Sequence, residues 1–193
     1  MQNYHILLSN RTDNKIPYDL RSEVLFREAE DCFCYFYKTK AALKKLGKAL
    51  EYYPNHFKSL MLKGDILFSE GNYDEALKNY IKALELKPEN SKSLGSVANC
   101  LNELKFFKDA KMFCDKARGL CQFENDDLYS SLYELQIKIS MNLKEYSKVK
   151  NLLNTRTVNT HDNLIVLKRI LSKTLNSKME LQKRLKTTTL RAI

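Results

Sequence analysis

The fold is decided by residues 71–90, which read GNYDEALKNYIKALELKPEN. Small and apolar residues recur there at the spacing of one helix face: Ala76, Tyr80, Ala83 and Leu84. Gly71 suits the left-handed conformation that ends a preceding helix, and Pro88 stops the helix that follows. Asp74 and Glu75 place negative charge at the positive end of the helix dipole. The stretch therefore predicts a turn followed by one amphipathic helix.

The same pattern recurs at a period of 34 residues, the distance between Pro54 and Pro88. Two ladders of alanine keep this period: Ala42, Ala76 and Ala110, then Ala49, Ala83 and Ala117. Larger apolar residues keep it too: Phe26, Leu60 and Leu94. Short side chains let two helices approach closely, so each period predicts one pair of packed helices. The predicted units are 23–56, 57–90 and 91–124.

Residues 71–90 resemble the second half of a tetratricopeptide repeat, and the flanking units resemble that repeat more loosely. A degenerate fourth unit is predicted at 126–158, provided that about five residues are inserted after Leu120. Tyr133, Tyr146 and Val149 would take the matching roles there. The resemblance implies an all-α fold, a right-handed superhelix of antiparallel helix pairs with about three to four repeats.

The two ends of the chain depart from the repeat. Residues 1–22 contain apolar side chains but no long helical pattern, so we expect them to pack on the first repeat or to be partly flexible. Residues 159–193 predict a basic capping helix and tail. An apolar stripe runs along it: Leu164, Leu167, Leu171, Leu175 and Met179. A repeat stack needs such a terminal element with a polar outer face.

Motifs that carry chemistry are missing from the sequence. It has no phosphate-binding glycine loop and no HExxH zinc motif. The odd count of five cysteines favours reduced thiols, and Cys32 and Cys100 stand two periods apart, where a small apolar residue suits packing. We therefore expect no enzyme, no metal and no cofactor. No signal peptide and no run of roughly 20 apolar residues is present, so we expect a cytoplasmic protein without a membrane span.

The first helix of each pair lines the concave side of such a stack, which predicts a groove for a peptide or a helix. The candidate groove residues are Arg27, Asp31, Lys58, Met61, Asp65, Phe68, Lys92, Asn99, Asn102 and Lys138. The resemblance implies a protein-binding module that acts as an adaptor, a scaffold or a chaperone. The other interpretation is that these residues are solvated helix surface. The partner and the oligomeric state stay open.

One specialised groove can be tested on the sequence. Relatives that hold the acidic tail of Hsp70 or Hsp90 use a clamp of Lys, Asn, Asn, Lys and Arg. The matching positions, counted from the first unit, are Arg27, Asp31, Leu62, Lys92 and Ser96. Asp31 would repel a carboxylate, and Leu62 cannot donate a hydrogen bond. We therefore predict that this clamp is absent.

Positive charge concentrates at the C-terminal end. The net charge is +10, and the segment from His161 onward holds eight Lys and Arg against two acidic residues. The candidate basic patch is Lys168, Arg169, Lys173, Lys183, Arg184 and Lys186. It is either a solvated cap surface or a site for nucleic acid or an acidic partner. The alternative function is therefore a nucleic-acid-associated protein.

An aromatic run occupies residues 33–37 at the end of the first predicted helix. Phe33 fits the repeat core, but Tyr35, Phe36 and Tyr37 cannot all be buried by the repeat itself. Either the N-terminal segment covers them, or they form an exposed patch for a partner.

Overall fold

In a computed structural model of the chain, the described residues are 18–121, 126–155 and Met179. This part of the chain forms helices and no strand, which confirms the all-α class. The helices are α1 Tyr18–Cys34, α2 Thr39–Tyr52, α3 Phe57–Ser69, α4 Tyr73–Leu86, α5 Ser91–Glu103, α6 Phe107–Leu120, α7 Asp126–Asn142 and α8 Tyr146–Thr155. The first helix begins five residues before Glu23, where the first unit was predicted to start.

Consecutive helices pack as antiparallel pairs, α1 with α2, α3 with α4, and α5 with α6. Successive pairs then stack through the contacts of α2 with α3 and of α4 with α5. Both alanine ladders are fully buried: Ala42, Ala76, Ala110, Ala49, Ala83 and Ala117. The small residues therefore lie where the helices come closest, and the 34-residue period becomes a continuous core.

Each pair turns at a residue with a left-handed backbone. The φ angles are 51° at Tyr37, 80° at Gly71, 68° at Lys105 and 59° at Lys144. These residues follow one another at intervals of 34, 34 and 39 residues. The longer last interval places five extra residues between Lys105 and Lys144. Only Gly71 has the residue type that this conformation favours, since a β-carbon crowds the left-handed backbone.

The first turn is also one residue longer than the second. In the second turn the N–H of Asn72 donates to the carbonyl of Leu67 at 2.9 Å, the hydrogen bond of a Schellman motif. In the first turn the N–H of Lys38 donates across a wider loop to the carbonyl of Cys32, also at 2.9 Å. The extra residue leaves Tyr35, Phe36 and Tyr37 projecting from the end of the pair.

A close approach between α3 and α4 depends on a glycine. A β-carbon on Gly64 would lie 2.5 Å from the ring of Tyr80, a separation that real β-carbons do not reach. The ring is itself buried, and its hydroxyl donates to Asp65 Oδ1 at 2.7 Å. Gly64 therefore makes the room that the largest core side chain of this pair occupies.

The chain divides into two compact units, and the boundary between Leu132 and Tyr133 falls inside α7. The first unit contains the three pairs from α1 to α6. In the second, Val149 is buried against apolar residues that include Tyr146 and Met179. Apart from Met179, the predicted capping helix lies outside the described residues, as do residues 1–17 of the N-terminal segment. The boundaries of the repeats therefore stay a prediction.

Candidate interaction site

The first helices of the three pairs, α1, α3 and α5, lie next to one another and form a surface that we term the first-helix layer. Between α1 and α3, Lys58 Nζ donates to Glu23 Oε1 at 2.9 Å. Between α3 and α5, the hydroxyl of Ser93 donates to the sulfur of Met61 at 3.3 Å. Side chains thus cross from each first helix to the next, so the layer is continuous over the three pairs.

The sequence-predicted groove residues differ in how far they reach solvent. Arg27, Lys58 and Lys92 are exposed. The half-buried members are Asp31, Asp65, Phe68 and Asn99. Lys138 is exposed as well, but it belongs to the second compact unit. The first-helix layer therefore brings together seven accessible candidates, which alternate cations, carboxylates, an amide and one aromatic ring.

Two of the predicted groove residues are buried. Met61 is 5% exposed and belongs to the core cluster that contains Tyr80 and Cys100. Asn102 is 6% exposed, and its amide donates to Glu103 Oε1 at 3.2 Å. Their helix positions alone did not predict this burial, because it depends on the elements that pack beside them. Both residues have packing roles rather than accessible positions in the layer.

Asp65 links three helices. It accepts the hydroxyl hydrogen bond of Tyr80 on α4, and its Oδ2 lies 3.8 Å from Lys92 Nζ on α5. Burial and the neighbouring Asp65 carboxylate raise the pKa of Tyr80 above its usual range, so the phenol stays a donor. Asp65 therefore stabilises the fold in addition to lining the layer.

A second network centres on Glu23. Its carboxylate accepts from Lys58, from Arg27 Nε at 3.3 Å and from His56 Nε2 at 3.1 Å. Burial opposes ionisation, but the hydrogen bonds and charges of Lys58 and His56 outweigh it and lower the pKa of Glu23. Sequence reasoning missed Glu23 and His56. Only the four-residue step from Glu23 to Arg27 signalled the network in advance.

The structure shows the surroundings of three positions of the acidic-tail clamp. Leu62 is half-buried against a core cluster that contains Phe26 and Ile66. Asp31 remains partly accessible and carries no amide donor. Lys92 is exposed, but its Nζ lies 3.8 Å from Asp65 Oδ2. The predicted absence of the clamp stays a prediction, and these contacts support it.

The thiols occupy packing positions. Cys100, Cys114 and Cys121 are buried, whereas Cys32 is half-buried and Cys34 is exposed. Burial and nearby acidic side chains raise the pKa of Cys100 to about 12. Among the described residues, no group of three or more His, Cys, Asp and Glu side chains is arranged to hold a metal ion. No helix in the same part of the chain is long and apolar enough to cross a membrane.

The other two sequence-predicted features have different outcomes. The basic patch from Lys168 to Lys186 lies outside the described residues and stays a prediction. The aromatic residues at the first turn are accessible to solvent: Tyr35 is 73% exposed, Phe36 61% and Tyr37 86%.

The fold and the continuous layer define a helical repeat protein. Residues 64–92 match the family model described as TPR repeat. Residues 64–92 therefore contain a tetratricopeptide repeat, as the resemblance of residues 71–90 predicted.

Solved structures with similar folds have low sequence identity. The first TPR of Spaghetti (RPAP3), bound to HSP90 peptide SRMEEVD, is 16% identical with a TM-score of 0.59, covering 65% of this chain and 95% of that chain. The TPR2B domain of yeast Sti1, in complex with pHsp70, is 19% identical with a TM-score of 0.58, covering 63% and 98%. The translocator chaperone SycD of type III secretion in Yersinia enterocolitica is 16% identical with a TM-score of 0.58, covering 64% and 94%.

Proposed function

We propose that the protein is a non-catalytic interaction module that binds a peptide or a helix of another protein along the first-helix layer. The observation that carries this proposal is the continuity of the layer, in which side-chain bonds join α1 to α3 and α3 to α5. A continuous surface across three helices suits an extended ligand, because such a ligand contacts each repeat in turn. We further propose an adaptor or chaperone-like role in the cytoplasm.

The charges of the layer indicate the kind of ligand. Each of its exposed cations already faces a carboxylate: Arg27 contacts Glu30 at 3.2 Å, Lys58 contacts Glu23, and Lys92 lies near Asp65. These internal pairs neutralise much of the positive potential. A ligand of mixed polar and apolar character therefore suits the layer better than a purely acidic tail.

Two neighbouring folds support a peptide ligand by analogy, since one is bound to an HSP90 peptide and the other is in complex with pHsp70. The clamp that the resemblance implies for holders of acidic tails is not matched at two positions of this chain. With Asp31 and Leu62 at the clamp positions, we expect peptide SRMEEVD to bind more weakly than about 1 mM by calorimetry. Binding tighter than that limit would instead support a groove that holds acidic tails.

The first-helix layer can be tested by selecting peptides from a random display library against the wild-type chain. The selected peptides are then measured against a variant that reverses three exposed cations of the layer, Arg27→Glu, Lys58→Glu and Lys92→Glu. Asp65 is left unchanged, because its loss would release Tyr80. Exposed ion pairs contribute at most about 1 kcal/mol each, so the variant should remain folded by circular dichroism.

The matched control reverses the same number of cations on the outer faces of second helices, Lys82→Glu, Lys108→Glu and Lys116→Glu. We expect the layer variant to lose roughly tenfold or more of the affinity for selected peptides, since charged contacts contribute about 1.5–3 kcal/mol each. The control should retain its affinity. Equal losses in both variants, or a loss in the control alone, would contradict the assignment of the layer.

A further inference from the structure

A second surface of the protein combines unpaired lysines with exposed aromatic rings. Lys40, Lys44 and Lys48 stand on the outer face of α2 at steps of four residues. All three are exposed, whereas Ala42 and Leu46 on the opposite face are fully buried. A step of four residues advances about 6 Å along a helix, so the three ammonium groups form a line.

The three lysines have no carboxylate partner in the part of the chain that the structure describes. Their neighbour Lys45, in contrast, pairs with Glu28 of α1. Like charges at steps of four residues repel one another, so the line is destabilising unless an anion neutralises it.

The corresponding positions of the other second helices lack this line. In α4 they hold Asp74, Lys78 and Lys82, and Lys78 pairs with Glu75. In α6 they hold Lys108, Met112 and Lys116. The line is therefore not a consequence of the repeat. It is a departure that belongs to α2.

The aromatic rings stand at the end of this line, in the turn that leads into α2. Tyr35, Phe36 and Tyr37 are all exposed, and Lys38 Nζ lies 5.6 Å from the ring centroid of Phe36. Tyr37 holds its bulky side chain on a left-handed backbone, where the next two pairs have Gly71 and Lys105. The left-handed backbone is common to the turns, but exposed rings gathered at one turn form an apolar patch of the kind that marks an interaction site.

We propose that Tyr35, Phe36, Tyr37, Lys40, Lys44 and Lys48 form an aromatic–lysine patch that binds single-stranded nucleic acid. The lysines neutralise successive phosphates, and the rings stack on unpaired bases at one end of the strand. Positive charge that follows the backbone, together with aromatic stacking, is the usual chemistry of single-strand recognition. The three lysines stand on a second helix, whereas first helices form the layer, so this proposal does not depend on peptide binding there.

The shape of the patch favours a strand over other anions. A membrane surface in contact with the projecting rings would lie at the start of α2. Lys48 lies about 12 Å further along the helix than Lys40, so such a surface would not contact all three lysines. An acidic peptide would neutralise the lysines but has no bases for the rings to stack on. A duplex keeps its bases paired and inside. A single strand contacts the lysines and the rings together.

The affinity test uses the full chain and a fluorescent oligouridylate of about 15 nucleotides, a typical single-strand site size, measured by anisotropy over a range of salt concentrations. The variant Lys40→Glu, Lys44→Glu, Lys48→Glu should bind at least about tenfold more weakly. Its plot of log affinity against log salt should lose a slope of about 2, the value for three phosphate contacts on a single strand. The variant Lys82→Glu, Lys108→Glu, Lys116→Glu makes the same change in net charge and should bind within about twofold of wild type.

A second variant tests the rings without damaging the fold. Tyr37→Gly removes one ring but suits the left-handed backbone, so the thermal midpoint should not fall. Combined with Tyr35→Ala and Phe36→Ala, it should weaken oligouridylate binding roughly a hundredfold, since each of three stacked bases contributes a factor of about five or more. An oligonucleotide with 4-thiouridine should cross-link to residues 35–37.

Several outcomes would overturn this proposal. Cross-links found only within residues 159–193 would place the strand on the C-terminal segment instead. An equal loss of affinity in the control variant would show that the effect comes from net charge and not from the patch. Tighter binding to phosphatidylserine vesicles or to polyglutamate than to the oligonucleotide would assign the patch to a membrane or to an acidic protein. No measurable binding of the oligonucleotide would also refute it.

Discussion

The first and second helix pairs bury equivalent positions but differ at their turns and outer faces. Leu46 in the first pair and Tyr80 in the second stand one period apart, and both are buried. At the turns, however, the first pair presents Tyr37 where the second has Gly71. The repeat therefore determines the core, because a stack must bury the same positions in each unit. The turns and outer faces are free to vary, and specific recognition is expected where they depart from the repeat.

The largest expected contrast between edge and interior is in thiol reactivity. Cys34 lies exposed at the end of the first helix, whereas Cys100 is fully buried and its pKa is raised to about 12. Iodoacetamide at pH 8 should modify Cys34 at least about 10³-fold faster than Cys100, because the buried thiol reacts only after an opening of the fold. Peptide mass spectrometry over time measures both rates. Similar rates would mean that the third pair is not packed as described.

The second expected effect is the cost of crowding the interior of the second pair. Gly64→Ala pushes a β-carbon into the ring of Tyr80, so the free energy of unfolding should fall by about 1–3 kcal/mol. Gly47→Ala is the control, since no atom lies within 4 Å of the added carbon. That change should stabilise the helix by about 0.5–1 kcal/mol. Urea unfolding of both variants measures the two changes in the free energy of unfolding. Changes of the same sign would contradict the different packing described for Gly64 and Gly47.

A smaller effect is expected from the hydrogen bond that the second pair has and the first pair lacks. Tyr80→Phe removes the donor to Asp65 and should lower the free energy of unfolding by about 1 kcal/mol. Asp65→Asn should have a similar effect. The double variant should cost less than the sum, because both single changes break the same contact. Additive losses would show that Asp65 and Tyr80 act independently.

Effects of similar or smaller size are expected from substitutions in the turns themselves. Tyr37→Gly and Lys105→Gly each place glycine on a left-handed backbone and should raise the free energy of unfolding by about 0.5–1 kcal/mol. Gly71→Ala should lower it by about 1 kcal/mol, since alanine is strained there. Thermal unfolding compares the three. A loss of stability in Tyr37→Gly would mean that the ring itself stabilises the turn.

The sequence predicted the interior well, because packing repeats with the period. The ladder of Ala42, Ala76 and Ala110 indicated helix pairs, and all three residues are buried. Accessibility at the surface was harder to predict, since it depends on neighbouring helices. Met61 has a groove position in its own helix, yet it packs into the core beside Ser93 of the next pair. The unpaired state of Lys40 likewise follows from where the carboxylates of other helices lie.

The most direct test of the central claim is site-specific photo-cross-linking in cells that produce the protein. A photoreactive amino acid is placed at Arg27 or Lys92 on the first-helix layer, and at Lys82 or Lys116 on the second helices. If the first-helix layer is the protein-binding surface, the two layer positions capture the same polypeptide and the two control positions do not. Capture from Lys82 and Lys116 alone, or equal capture from all four positions, would contradict that account.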